Sequence, residues 1–207
     1  PEATIRADLA VKGGRIVAVG APGTLGEAGE ELDASGRLVF PGLVDPHVHI
    51  AHPFSKGVSM DDFHTATVSA AHGGTTTLID FAIQWDKGLP LMECIRRRRD
   101  QADGMAVIDY GLHACPTLST EETLQAAEEV IRSGVPSFKI YMIYRKQGRM
   151  VDDAVLFGLL QEAKRHGGMV GVHADRSPRH AHPDISTVAL AAVARRVLGE
   201  EVVLVSE

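Results

Sequence analysis

Four side chains in this sequence are of types that bind metal ions or act as nucleophiles, and each falls in an apolar, strand-like run. In "DPHVHI", residues 45–50, His47 and His49 stand two apart. Side chains alternate along a strand, so two imidazoles at this spacing point to one face while Val48 and Ile50 point to the other. Buried without partners the imidazoles would be costly, and a metal ion is the simplest partner for both. Hydrogen-bonded or surface histidines are the alternative. In "SFKIYMIY" the run contains Lys139, and lysine is almost never fully buried unless paired. This residue is either a snorkelling or ion-paired lysine, or an amine whose pKa is lowered by burial. A neutral amine can add carbon dioxide to give a carbamate, whose two oxygens can bridge two metal ions. A further run, "VGVHAD", ends with His173.

The elements that must bring these residues together show in the periodicity. Residues 1–40 read as short strands and turns, with "DLAVKGGRIVAVG" as a hairpin about Gly13 and Gly14, followed by "ELDASGRLVF". From Pro41 the pattern changes. Strand-like runs at about 43–50, 76–82, 106–115, 137–143, 168–174 and 201–206 alternate with helix-like stretches at about 61–72, 89–102, 120–133, 152–166 and 184–198. A repeated βα unit means a parallel sheet covered by helices, either doubly wound or closed as a (β/α)8 barrel. A dinucleotide-binding sheet would place G-x-G-x-x-G after its first strand, where this chain has "HIAHPFSKG". The barrel fits better, and barrel active sites lie at the carboxyl ends of the strands, where His47, His49 and His173 fall.

Composition narrows the function classes. The 207 residues are 44% hydrophobic and 23% charged, with a formal net charge of −6, which is ordinary globular material and argues against a nucleic-acid surface. The dense basic run Arg96–Arg99 sits in a helix-like segment flanked by acidic residues and reads as a solvated helix face. The apolar runs are strand-sized, no signal peptide opens the chain, and Cys94 and Cys115 are too far apart for a disulfide framework, so the expectation is a cytoplasmic protein without membrane contact. Histidine is in excess, with ten in the chain. Besides the three above, His113 also falls near the end of a strand-like run.

Taken together, "PGLVDPHVHI", "MDDFHTATVSAAHGGTTTLIDF", "GVPSFKIYMIYR" and "GGMVGVHAD" resemble the amidohydrolase superfamily, and specifically its hydantoinase and dihydropyrimidinase branch, from about Asp8 to Asp175. P-G-x-x-D-x-H-x-H would fit many amidohydrolases, and S-F-K-x-x-M-x-Y narrows the match. The resemblance implies a metal-dependent (β/α)8 TIM barrel spanning residues 41–207, here about six strands, with residues 1–40 forming part of a small β-sandwich. It implies two Zn²⁺ ions bridged by carbamylated Lys139, one held by His47 and His49 and the other by His173. The implied activity is the opening of a small cyclic amide, a hydantoin or dihydropyrimidine, by a metal-bridging hydroxide, with Tyr144 donating a hydrogen bond to the developing oxyanion. It also implies a homo-oligomer, usually a tetramer. Tyr141, two residues after Lys139 on the same strand face, and Phe54, in the loop after the first strand, are candidates to line the ring pocket, or else ordinary packing residues.

The same resemblance marks departures. Family members carry a further metal-binding histidine on the sixth strand and an aspartate on the eighth, whereas "EEVVLVSE" contains no histidine and the sequence ends there. His180 and His182 form a second H-x-H, but in a proline-flanked loop. The alternative is therefore a truncated or non-catalytic homologue serving assembly. This chain expressed alone is expected to self-associate through open strand edges and to hold zinc weakly.

Overall fold

The computed structural model describes residues 4–54, 57–173 and 204–205. The chain divides into two units, Pro1–Pro41 and Gly42–Glu207. In the first, strands β1 (Asp8–Lys12) and β2 (Arg15–Gly20) pair antiparallel, Lys12 opposite Arg15, with a register shift between Ala10 and Val11. Gly13 and Gly14, at φ 58° and 72°, make the two-residue turn, and left-handed φ at both central positions is what the twist of a tight hairpin demands. The strand expected in "ELDASGRLVF" does not form. The Asp33 carboxylate accepts from the Ser35 N–H at 2.8 Å, Gly36 turns the chain at φ 70°, and Leu38, Val39 and Phe40 are exposed. A strand exists only where an edge receives its backbone groups, and this segment pairs with none among the described residues.

The second unit is built on a curled parallel sheet. Its strands run in chain order: β3 (Leu43–Asp45), β6 (Thr75–Ile83), β7 (Asp109–Cys115), β8 (Ser137–Tyr141), β9 (Met169–His173) and β10 (Leu204–Val205). Two further strands, β4 (Pro53–Phe54) and β5 (Gly57–Val58), form a small hairpin after β3. Helices α1 (Phe63–His72), α2 (Leu91–Ala102), α3 (Glu121–Gln125), α4 (Ala127–Arg132) and α5 (Asp153–His166) fill the crossovers. This is the βα order of a (β/α)8 barrel, as the sequence led us to expect. The stretch expected as helix at 184–198, and His180 and His182, lie outside the described residues.

Capping fixes the helix boundaries. Asp62 and Thr65 form a reciprocal capping box at the start of α1. The Asp152 carboxylate accepts from the Val155 N–H at 2.9 Å to start α5, and Gly167, at φ 75°, ends it. Asp152→Ala is expected to lower stability by about 1 kcal/mol, read as a shift of the urea midpoint at constant slope.

The first barrel strand is shorter than expected, ending at Asp45 instead of reaching Ile50. Pro46 has no N–H to give a ladder, and the Asp45 carboxylate takes the His47 N–H at 3.1 Å. Beyond this break the chain still runs along β6, because the Val48 N–H donates to the Ile79 carbonyl at 3.2 Å.

Alternation along the strands sorts the sheet into two faces. Leu112, Ala114, Phe138, Ile140, Val170 and Val172 point to the helices and pack with Ile95, Val130, Leu156 and Leu159 in the main apolar core. The opposite face carries Phe81, Ile83, Cys115 and Tyr141, which form a separate cluster with Tyr144. Lys139 lies on this second face, two residues from Tyr141. One face therefore packs into the main core while the other carries Lys139 and the smaller aromatic cluster.

Candidate metal centre

The site-facing side gathers most of the residues the sequence singled out. The His47 and His49 rings sit edge to face with centroids 5.2 Å apart, and both lie against Phe81 of β6, at 4.7 and 4.6 Å. The Lys139 Nζ stands 5.4 Å above the same Phe81 ring. One aromatic ring thus floors two imidazoles and an amine. At the end of the same strand as Lys139, Tyr141 is opposite His173 of β9 in the parallel register. The His173 ring lies 5.4 Å from Tyr141 and 5.5 Å from Tyr144. Lys139 is 4% exposed and His173 6%, on strands that are among the most buried of the sheet.

The chain after β8 sets the other wall. Tyr144 adopts φ 64°, ψ 34°, a left-handed conformation that costs a residue with a Cβ roughly 1–2 kcal/mol. The cost is offset by a tight turn in which Gln147 and Arg149 N–H groups both donate to the Tyr144 carbonyl, at 3.1 and 3.2 Å. The turn brings the Tyr144 ring back over Tyr141, at 5.6 Å. Arg149 lies over both Trp85 (4.4 Å) and Tyr144 (5.6 Å), and Trp85 in turn meets His52. Phe54 is 55% exposed on the β4–β5 hairpin, unlike Tyr141, which is buried beside His173.

Three residues that shape the site were not among the candidates. His113 on β7 lies 5.0 Å from Phe81. Its Nε2 meets the Pro46 carbonyl at 2.8 Å and its Nδ1 the Ser137 hydroxyl at 2.7 Å. A carbonyl only accepts, so Nε2 carries the proton and Nδ1 accepts from Ser137. Burial holds the His113 pKa below its usual value, in keeping with a neutral ring. The other two are Asp80 and Arg98. The reading of Arg96–Arg99 as a solvated face holds for Arg96 and Arg97, which pair with Glu93, and needs correction for the rest. The Arg99 guanidinium donates to the Ser133 carbonyl at 2.7 Å. Arg98 is drawn into an ion pair with Asp80, which is 1% exposed. The signal was present in the sequence: Arg98 lies four residues from both Cys94 and Ala102 on the buried stripe of α2, and Asp80 interrupts the apolar run of β6. Burial pushes the Asp80 carboxyl up while the Arg98 charge pulls it down.

Cysteine chemistry is not offered by this face. Cys94 and Cys115 are buried thiols without a disulfide, and complete burial pushes Cys115 up to about 12, leaving no thiolate at neutral pH.

The donors match what a metal pair needs in type: two imidazoles on one side, one on the other, and a buried amine between that can become a bridging carbamate. Among the described residues, no three His, Cys, Asp or Glu side chains converge at metal-holding distance, and Lys139 in a carboxylate-like form would add one donor to the histidines.

Comparison with known proteins places this geometry. The chain is 43% identical to the D-hydantoinase of Geobacillus stearothermophilus over 171 residues, covering 82% of this chain and 36% of that protein. It is 37% identical to the dihydropyrimidinase of Rattus norvegicus over 174 residues, covering 82% and 33%. The crystal structure of dihydropyrimidinase from Brevibacillus agri superposes with a TM-score of 0.76 at 39% identity, over 84% of this chain and 37% of that one. The chain thus spans little more than a third of the length of the first curated relatives it matches. The model of the amidohydrolase family matches residues 38–201, most of the sequence and the five strands β3, β6, β7, β8 and β9 around the histidines and Lys139, and the chain belongs to that family, resembling its hydantoinases and dihydropyrimidinases.

Proposed function

We propose that this chain supplies part of the active site of a binuclear zinc hydrolase that opens small cyclic amides of the hydantoin or dihydropyrimidine type. The observation that carries the reading is Lys139, a buried amine on the site-facing side of β8 with the His47–His49 pair on the same Phe81 ring and His173 on the neighbouring strand. In this reading the neutral Lys139 amine adds to carbon dioxide, the N–C bond forming as one C=O π bond opens and one nitrogen proton leaves to solvent, and the resulting carbamate would be a ligand shared by two zinc ions. His47 and His49 would hold one ion and His173 the other. When bound, such ions lower the pKa of water from 15.7 to about 7 and polarise a carbonyl.

The chain's own residues do the rest. Tyr144, fixed by its turn beside His173, donates its phenolic hydrogen bond to the oxygen on which charge accumulates as the ring amide is attacked. Tyr141 and Phe81 form an apolar floor that keeps bulk water from the bridging lysine, and Phe54 meets the substrate from its exposed hairpin. The ring C–N bond breaks, water is added across it, and a carboxylate and a ureido N–H result. The N-terminal unit contributes to a small β-sandwich, since a two-stranded hairpin is at best marginal alone, and the protein assembles as a cytoplasmic homotetramer.

The test is zinc analysis with a hydantoin and dihydrouracil hydrolysis assay on the full-length protein containing this chain. Absence of both zinc and turnover sinks the reading. Tyr144→Phe refines it: kcat is expected to fall about 10²- to 10³-fold, with zinc content unchanged, because the hydroxyl acts in the transition state. Loss of zinc in that variant would instead assign Tyr144 to holding the metal centre together.

A further inference from the structure

The segment carrying His47 and His49 is not in a regular strand, yet three of its residues are anchored at alternate positions. The Pro46 carbonyl accepts from His113, and the Val48 N–H donates to the Ile79 carbonyl. The third anchor is the most elaborate. The Ile50 N–H donates to Asp80 Oδ1 at 3.3 Å, and the Ile50 carbonyl accepts from Arg98 Nη2. Asp80 and Arg98 are joined to each other through Arg98 Nε and Asp80 Oδ2 at 2.6 Å. Both backbone groups of Ile50 are therefore held by one buried ion pair, while the guanidinium stacks 4.7 Å from the Phe63 ring and reaches Gln101 with its remaining nitrogen.

We infer that the Asp80–Arg98 pair is a positioning device for the two histidines, a clamp that fixes the end of their segment so that His47 and His49 present to one point. This inference rests on reading those histidines as metal ligands. The physical argument is that the backbone groups of Ile50, a residue 4% exposed, need partners. Continuation of the β3 ladder would supply them, but the strand ends at Asp45–Pro46, so the backbone of residues 47–50 must be fixed by other groups. Ala51, directly after the clamp, sits at φ 43°, so the chain turns sharply where the pair releases it. Arginine suits this role because its planar fork serves the Asp80 carboxylate and the Ile50 carbonyl simultaneously, whereas a lysine ammonium is a point charge. Residues that orient metal ligands from behind typically change metal affinity about 10- to 100-fold when altered.

The experiment uses the full-length protein as wild type, Arg98→Lys and Arg98→Met, with two readouts. Hydrogen exchange on peptides covering residues 46–51 reports the clamp, and titration of the metal-stripped protein with Co²⁺, followed by its visible absorption, reports the ligand pair. We expect Arg98→Lys to keep the protection of β7 and β8 but to speed exchange in 46–51, to weaken Co²⁺ binding about tenfold and to lower kcat more than it raises KM. Arg98→Met shows the same pattern more strongly. Co²⁺ bound with wild-type affinity and spectrum by either folded variant overturns the inference. So does loss of protection throughout the sheet in both variants, which would mark a general structural role. Wild-type protein that takes up no Co²⁺ removes the metal reading instead, and the exchange arm then decides separately whether the clamp exists.

Discussion

Lys139→Ala is expected to empty the proposed metal centre and abolish turnover, with losses beyond the roughly 10- to 100-fold that follows removal of an outer partner, because in that proposal one bridging group serves both ions at once. Alanine also deletes the alkyl stem, so Lys139→Met is the cleaner variant: it keeps most of the volume against Phe81 and removes only the nitrogen. Both should lose metal, measured by inductively coupled plasma spectrometry after dialysis, and neither should give the carbamate resonance expected of the wild type from ¹³C-bicarbonate. Their stabilities should differ, because alanine leaves a gap against Phe81 that the methionine side chain fills. Retention of two metal ions by Lys139→Met would assign the bridge to another residue.

Phe138→Ala is the largest stability effect we expect, about 3–5 kcal/mol, against a total of roughly 5–15 kcal/mol for a domain. Phe138 is 1% exposed on the helix side of β8, opposite Val170 in the register and next to Ala114 of β7. Truncation leaves a cavity walled by strands and helices that cannot collapse together. The check is the urea midpoint and the thermal midpoint of the metal-stripped full-length protein. Activity per folded molecule should survive at low temperature, because the ring points away from Lys139. A loss below about 1 kcal/mol would show that the helices close over the gap.

These two residues, adjacent in sequence, also show what could be read without coordinates. In "SFKIYMIY" the period-two alternation places Phe138 and Ile140 on one face and Lys139 and Tyr141 on the other, and the structure agrees. The same reasoning overextended the first strand, because alternation in "LVDPHVHI" continues through a proline and an aspartate that end the ladder. His47 and His49 still present together, but through anchors supplied by His113, Ile79 and the Asp80–Arg98 pair. Those anchors involve residues 30 to 67 positions away in sequence, which no local pattern reveals. Arg98 was misread for a related reason. Its neighbours in "RRRR" suggest a solvated face, and only its place on the helical stripe of Cys94 and Ala102 gives it away. The left-handed turn at Tyr144 was equally silent, since tyrosine carries no conformational signal for it.

The alternation of β8 has a consequence for how this chain can change in length. A substitution in the strand alters one side chain, but deletion of a single residue between Ser137 and Lys139 would rotate everything after it by half a period. The amine would then enter the helix-packed core and an aliphatic chain would face the histidines, losing metal binding and packing in one event. Insertions after Gly104, in a turn at φ 77°, meet no such constraint. Among descendants of this sequence, gaps should therefore accumulate in the loops and stop at the first paired residue of each strand.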